Sequence, residues 1–167
     1  MSQTSPQVSE SLTPSQITAI RKAVDDLVPQ YQSFLGDLVK IDTTNPPGRN
    51  YVECAEFIGN TLKSLGYTVE YIKVPDELLP QLAGHGEGLP RVNVIGRLPG
   101  SEGQKGMTLH ANGHFDVVPV GTASNWKYPP FGAEVHDGKM YGRGTADQKD
   151  GIAAQVNVCP IDVLATY

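Results

Sequence analysis

Up to Leu65 the apolar residues recur every three to four positions, and after Gly66 they fall into short runs of strand character. A chain with that change of period has to bury helical stripes against a sheet, which is the pattern of a layered α/β domain. The first stripe is Ile17, Ile20, Val24, Leu27 and Val28. Thr13-Pro14-Ser15-Gln16 opens it with an N-cap, a proline at the first helical position and a capping-box glutamine. Pro29 is expected to kink or end this helix, with a second segment through Phe34, Leu35, Leu38 and Val39. Ile41 to Gly48 is a loop by composition. Asn50 with Glu53 opens the next helix, and Gly66 stands where a left-handed C-terminal cap belongs. Strands are expected over Tyr67–Val74, Arg91–Leu98 and Met107–Asn112, and a short one at Met140 and Tyr141 after a His136-Asp137-Gly138 turn. Pro75 to Pro90, rich in proline and glycine, reads as an irregular surface excursion.

Composition narrows the class of protein. The 167 residues are 39% hydrophobic and 19% charged, which suits one soluble globular domain with a sizeable core. A net charge of −5 argues against a nucleic-acid partner, which needs clustered Lys and Arg. No run of about 18 apolar residues is present, so neither a transmembrane helix nor a membrane partner is expected, and the protein reads as cytoplasmic. Cys54 and Cys159 are too few and too far apart for a disulfide scaffold or a zinc finger. Residues 1–12 are Ser-, Gln- and Thr-rich, without Lys or Arg, and read as a disordered tail rather than a targeting signal.

Two short clusters carry possible chemistry. In Gly113-His114-Phe115-Asp116, His114 and Asp116 are two apart in an extended segment and so project to one side. A neutral imidazole is a common zinc ligand, and a neighbouring carboxylate can orient it. The alternative is a polar strand end. In Tyr141 to Lys149, glycines permit a tight turn that delivers Asp147, 33 residues after His114. A carboxylate there can bridge two metal ions; its alternative is the N-cap of a following helix.

Taken in order, His110 to Gly121, Asn125 to Phe131 and Asp137 to Asp147 resemble the metallopeptidase family of acetylornithine deacetylase, succinyl-diaminopimelate desuccinylase, aminoacylase and glutamate carboxypeptidase. The loop Thr43 to Gly48 resembles its deacetylase and desuccinylase branch, and the likeness runs from about residue 30 to residue 156. The resemblance implies an α/β zinc-exopeptidase-like catalytic domain, three-layered around a mixed sheet and here truncated. It implies His114 as a ligand of one zinc, Asp116 as the catalytic carboxylate that tunes the site, and Asp147 as the bridge between two zincs, with a cis peptide after it. The implied cofactor is Zn2+, two per complete site, for which Co2+ or Mn2+ can substitute. The implied reaction is hydrolysis of an amide or peptide bond in a small acylated amino acid or peptide, and a homodimer is expected of the full-length family member.

The chain also departs from the family. The general-base glutamate, in a Glu-Glu pair downstream of the bridging Asp, has no counterpart, nor do the later ligands; His114 and Asp147 are the matching metal positions. Residues 13–167 are thus expected to be the N-terminal portion of the catalytic domain without its lid and dimerisation domain. Residues 157–167 are expected to be a non-family ending in which Pro160 breaks a helix. Asp150 stands where the family usually has glycine. A second reading follows: an inactive fragment, or a binding partner of full-length subunits.

The remaining candidates are weaker. No Gly-x-Ser-x-Gly elbow or phosphate-binding loop is present, and Gly84 to Gly88 lacks the dinucleotide spacing. His110 is expected to be a buried strand histidine, His85 and His136 solvated turn residues, and Cys54 a buried thiol. Trp126, Tyr128 and Phe131 are expected to pack within their loop.

Overall fold

The computed structural model describes residues 12–82, 86, 88–100 and 108–158. The expected tail and non-family ending fall outside these residues except for Leu12, Asn157 and Val158, and so do His85 and Met107.

Helix α1 runs from Pro14 to Lys40. Its capping box forms: Gln16 N donates to Thr13 Oγ1 at 3.3 Å, and Thr13 N donates to Gln16 Oε1 at 2.7 Å. The expected break at Pro29 does not occur, and the two anticipated segments are one helix of 27 residues. Pro29 lies on the exposed face, where water can replace the backbone bond it removes. Beyond it Phe34, Leu35, Leu38 and Val39 enter the core, whereas Ile17, Val24 and Val28 of the first stripe remain exposed.

Helix α2 spans Tyr51–Ser64. Asn50 occupies its N-cap position, but the expected capping box is absent. Its Nδ2 instead donates to the Asp42 carbonyl at 3.0 Å, so the side chain pins the preceding loop. Gly66 closes the helix as expected, with φ +87° and its N–H on the Lys63 carbonyl. Strands β1 (Thr68–Lys73) and β2 (Val92–Arg97) pair antiparallel, with Thr68 opposite Arg97 and Lys73 opposite Val92. Between them the expected irregular excursion holds a short 3-10 turn, Asp76–Leu78, and one helical turn, α3 (Leu79–Leu82), anchored by buried Leu79.

Strands β3 (Glu134–His136) and β4 (Lys139–Tyr141) form a hairpin whose two-residue turn, Asp137-Gly138, has positive φ at both positions. The expected strand at Met107–Asn112 is not formed over residues 108–112, which are exposed and unpaired in any described sheet. A strand requires a partner as well as a pattern. The nearest equivalent lies further on, where Thr44 and Val117 make a single parallel bridge. The fold is therefore mixed α/β as expected. Among the described residues its pairing consists of two small antiparallel sheets and that one bridge, not one mixed sheet.

Helix α4 (Lys149–Val158) closes the core. Its Ile152, Ala153 and Val156 pack with Phe34, Leu35, Leu38 and Val39 of α1 and Cys54, Ile58 and Leu62 of α2. Helix α2 also covers β1 and β2. The core thus sits where three helices meet, directly beneath the segments that carry His114 and Asp147. Among the described residues no helix is long and apolar enough to cross a membrane.

Candidate metal-binding site

Two chain segments meet above the core. Residues 114–117 are held by the loop that follows α1: Val117 N donates to Thr43 O at 3.1 Å and Asn45 N to Val117 O at 2.8 Å, while Thr43 Oγ1 donates to Phe115 O. The loop also reaches the site, because Asn45 Nδ2 donates to Asp116 Oδ2 at 3.3 Å. Thr43 and Thr44 are both buried: Thr43 spends its polar atoms on the segment it holds, whereas the Thr44 hydroxyl and N–H donate to the Asp42 carboxylate and brace the loop itself.

The second segment is the turn from Gly142 to Asp147. Gly144 has φ +92°, and a Cβ there would stand 2.7 Å from Val117 Cγ1 and 3.2 Å from Lys149 Cδ. Only glycine lets the turn press this closely on both neighbours. The Asp147–Gln148 peptide is cis, as the resemblance implies. Gln148 Oε1 then accepts from His114 N at 3.0 Å, tying the two segments directly.

His114, Asp116 and Asp147 converge here. The imidazole Nδ1 lies 3.0 Å from Asp116 Oδ1 and 3.1 Å from the Asp116 carbonyl, and Nε2 lies 3.2 Å from Asp147 Oδ1. A proton on Nδ1, donated to Asp116, leaves the Nε2 lone pair facing Asp147. Partial burial pulls the His114 pKa down, but the backbone and carboxylate of Asp116, with Asp147, outweigh it and raise the imidazole above its ordinary value. The three side chains border an open cavity of about 200 Å³ together with Val117 and Arg143. Asp147 is 86% exposed there and His114 51%, so both are accessible from solvent.

The arrangement suits one edge of a metal site. Two donors on a tetrahedral zinc, each about 2.1 Å from the ion, lie about 3.4 Å apart. The observed separation of Nε2 and Oδ1 is 3.2 Å. Among the described residues no group of three or more side chains is placed to hold an ion, so this edge is what they provide.

Lys149, given no role by the sequence, is wholly buried and donates from Nζ to the carbonyls of Leu38 at 2.9 Å and Ile41 at 2.7 Å. Burial lowers its ammonium to about 8, against the pull of Cys54 and Asp42. A signal was available: Lys149 falls on the i, i+3, i+4, i+7 stripe with Ile152, Ala153 and Val156, where a charge needs a buried partner. Asp150 is half-buried and accepts from Gly151 N in the first turn of α4, a favourable place for a carboxylate.

Other expectations divide. His110 is exposed rather than buried, because residues 108–112 pair with no strand among the described residues. His136 is not simply solvated: it stacks on Tyr128 at 3.9 Å and its Nε2 lies 2.8 Å from Glu134 Oε2. Trp126 packs within its loop as expected, donating to Val120 O and carrying the Arg143 guanidinium on its ring. Cys54 is fully buried, and burial pushes its thiol up to about 12.

Residues 110–161 match Peptidase family M20/M25/M40. The succinyl-diaminopimelate desuccinylase of Roseobacter denitrificans is 63% identical over 54 residues, which are 31% of this chain and 14% of that protein. The enzyme of the same name from a Psychrobacter species is 36% identical over 118 residues, 71% of this chain and 26% of that protein. The chain carries a segment of the peptidase M20/M25/M40 family. It spans about a quarter or less of the length of these curated relatives. His114, Asp116, Asp147, Gln148 and Lys149 all lie inside the M20/M25/M40 match. Helix α1 and the loop to Asn45, which hold them, lie outside it.

Proposed function

We propose that the protein is a metal-dependent hydrolase of amide bonds in acylated amino acids or small peptides, and that this chain contributes the His114–Asp147 edge of its metal site. The observation carrying this reading is the 3.2 Å approach of His114 Nε2 to Asp147 Oδ1, with Asp116 on the other ring nitrogen. In this reading His114 and Asp147 hold zinc. Zinc, when bound, supplies polarisation of the scissile carbonyl and activation of water. The chain's own residues prepare the site. Asp116 accepts from His114 Nδ1, which keeps the proton on that nitrogen and presents Nε2 as a lone pair; Asn45 donates to Asp116 Oδ2 and keeps the carboxylate turned towards the ring. The turn through Gly144 holds Asp147 open to solvent at the cavity mouth. The names of the relatives favour an N-succinyl amine within this substrate class.

A second reading rests on the donor count. The described residues offer two donors at one edge. A catalytic zinc normally has three protein ligands. On this reading the 167-residue chain alone is inactive, or serves as a partner of subunits that hold the remaining donors. Zinc content and hydrolysis of N-succinyl and N-acetyl amino acids separate the two. About two zincs per chain, with hydrolysis abolished by His114→Ala, support catalysis by this chain. Substoichiometric zinc without hydrolysis supports the second reading. Zinc retention unaffected by both His114→Ala and Asp147→Ala overturns the metal site itself.

A further inference from the structure

We infer that Lys149 is a positioning residue: its buried ammonium fastens the turn carrying Asp147 to the end of α1, and so sets the distance between Asp147 and His114. The inference rests on the proposed metal site and adds to it a residue that touches neither metal nor substrate.

The two halves of the site belong to different parts of the chain. His114 and Asp116 are held by the loop that leaves α1, through Thr43 and Asn45. Asp147 belongs to the glycine turn that enters α4. Lys149 is where these supports join. Its Nζ takes the carbonyls of Leu38 and Ile41, the last turn of α1 and the residue just beyond it, one residue before Asp42 begins the supporting loop. Its own N–H donates to Gly144 O at 3.0 Å, closing the turn around Asp147. A cation at a helix C-terminus also meets the negative end of the helix dipole, where the terminal carbonyls lack partners within the helix. One residue therefore joins the end of α1 and the start of the supporting loop, through its side chain, to the Asp147 turn, through its backbone. Other cross-ties run between the halves: Gln148 Oε1 accepts from the His114 amide, Arg143 Nη2 donates to Pro119 O at 3.4 Å and Gln155 Nε2 donates to Asn112 O at 2.9 Å, but none of them reaches α1.

A purely structural lysine and a positioning lysine predict different things. Exchanging the ammonium for an apolar side chain of similar length leaves the Leu38 and Ile41 carbonyls without this donor but also removes the desolvation penalty of the charge, and the two effects partly offset each other. Lys149→Met should therefore keep the fold while releasing the tether. Two readouts on the 167-residue chain test this, each beside a thermal melt. The first, on metal-free protein, is the nuclear Overhauser contact between the His114 ring and the Asp147 β protons. The second is Co2+ titration followed by the visible ligand-field band.

With the melting temperature held within a few degrees, Lys149→Met is expected to lose the contact and to bind Co2+ at least about 10-fold more weakly, the usual effect of removing an outer support of a metal site. If the variant keeps both the contact and the wild-type Co2+ affinity, the inference is overturned. If Lys149→Met does not fold, Lys149→Gln, which keeps one neutral donor, takes its place in both measurements: loss of contact and affinity is expected, and retention of both overturns the inference. A wild-type chain whose Co2+ band is indifferent to His114→Ala overturns the metal reading alone. The metal-free contact then decides the role of Lys149 by itself.

Discussion

His114 Nε2 lies 3.2 Å from Asp147 Oδ1 although 33 residues separate the two along the chain. Nothing in either local cluster produces that distance. It results from a loop that holds Asp116 and Val117 from one side, and from a glycine turn that bears on Val117 from the other. The chemistry of the pair depends on both supports.

In the proposed metal site Asp116 sets which imidazole nitrogen carries the proton. Asp116→Ala should weaken Co2+ binding by about 10- to 100-fold, the range found when the carboxylate behind a ligating histidine is removed. The melting temperature should change little, since the Asp116 side chain is 39% exposed. A titration that matches wild type would show that Asp116 does not orient His114.

Gly144 combines a left-handed φ with close approach to Val117 and Lys149. Gly144→Ala should destabilise the fold by about 1–3 kcal/mol, from backbone strain together with the contact its Cβ would make. Urea denaturation measures this directly. Gly100→Ala, where φ is not left-handed and no atom lies within 4 Å, serves as the contrast and should be near neutral.

Cys54 should resist thiol reagents. It is fully buried, and its thiol is pushed up to about 12, first by burial, with Lys149 opposing and Glu53 assisting. In a Cys159→Ser background, DTNB at pH 8 should label Cys54 only after unfolding. The sign of the pH effect follows from linkage. The folded pKa is above the unfolded value of 9.0, so the folded state keeps a proton that the unfolded chain releases. The stability this contributes is complete below about pH 9 and is lost as pH climbs towards 12. The alkaline decline in urea stability should therefore be shallower in Cys54→Ala than in its parent, and an equal slope would contradict the assignment.

Thr13→Ala removes the N-cap of α1, a change that typically destabilises a helix by about 1 kcal/mol. The first half of α1 is poorly buried, so the effect should remain local. Amide exchange should quicken at residues 16–20 while the global unfolding midpoint stays where it is. A lowered midpoint would mean that the start of α1 is coupled to the core more strongly than its exposure indicates.

What the sequence determined by itself was local. The Thr13–Gln16 capping box, the Gly66 helix end and the Asp137-Gly138 hairpin turn all formed where the residues dictate, because each depends on groups within a few positions of one another. The ordered motifs around His114, Asp116 and Asp147 likewise carried the family in their spelling, and a match over residues 110–161 agrees with it. Tertiary structure decided whatever required a distant partner. Pro29 sits inside a continuous helix because its face is open to water. Residues 108–112 have strand spelling but pair with no strand among the described residues, and Asn50, still at the N-cap position, spends its side chain on the Asp42 carbonyl. The burial of Lys149 against Leu38 and Ile41, and the reach of Asn45 to Asp116, could not be read from either stretch alone. Hydrogen-bond donors and acceptors within a turn select each other by chain connectivity. Those more than 70 residues apart are brought together only when α1, α2 and α4 close over a common core.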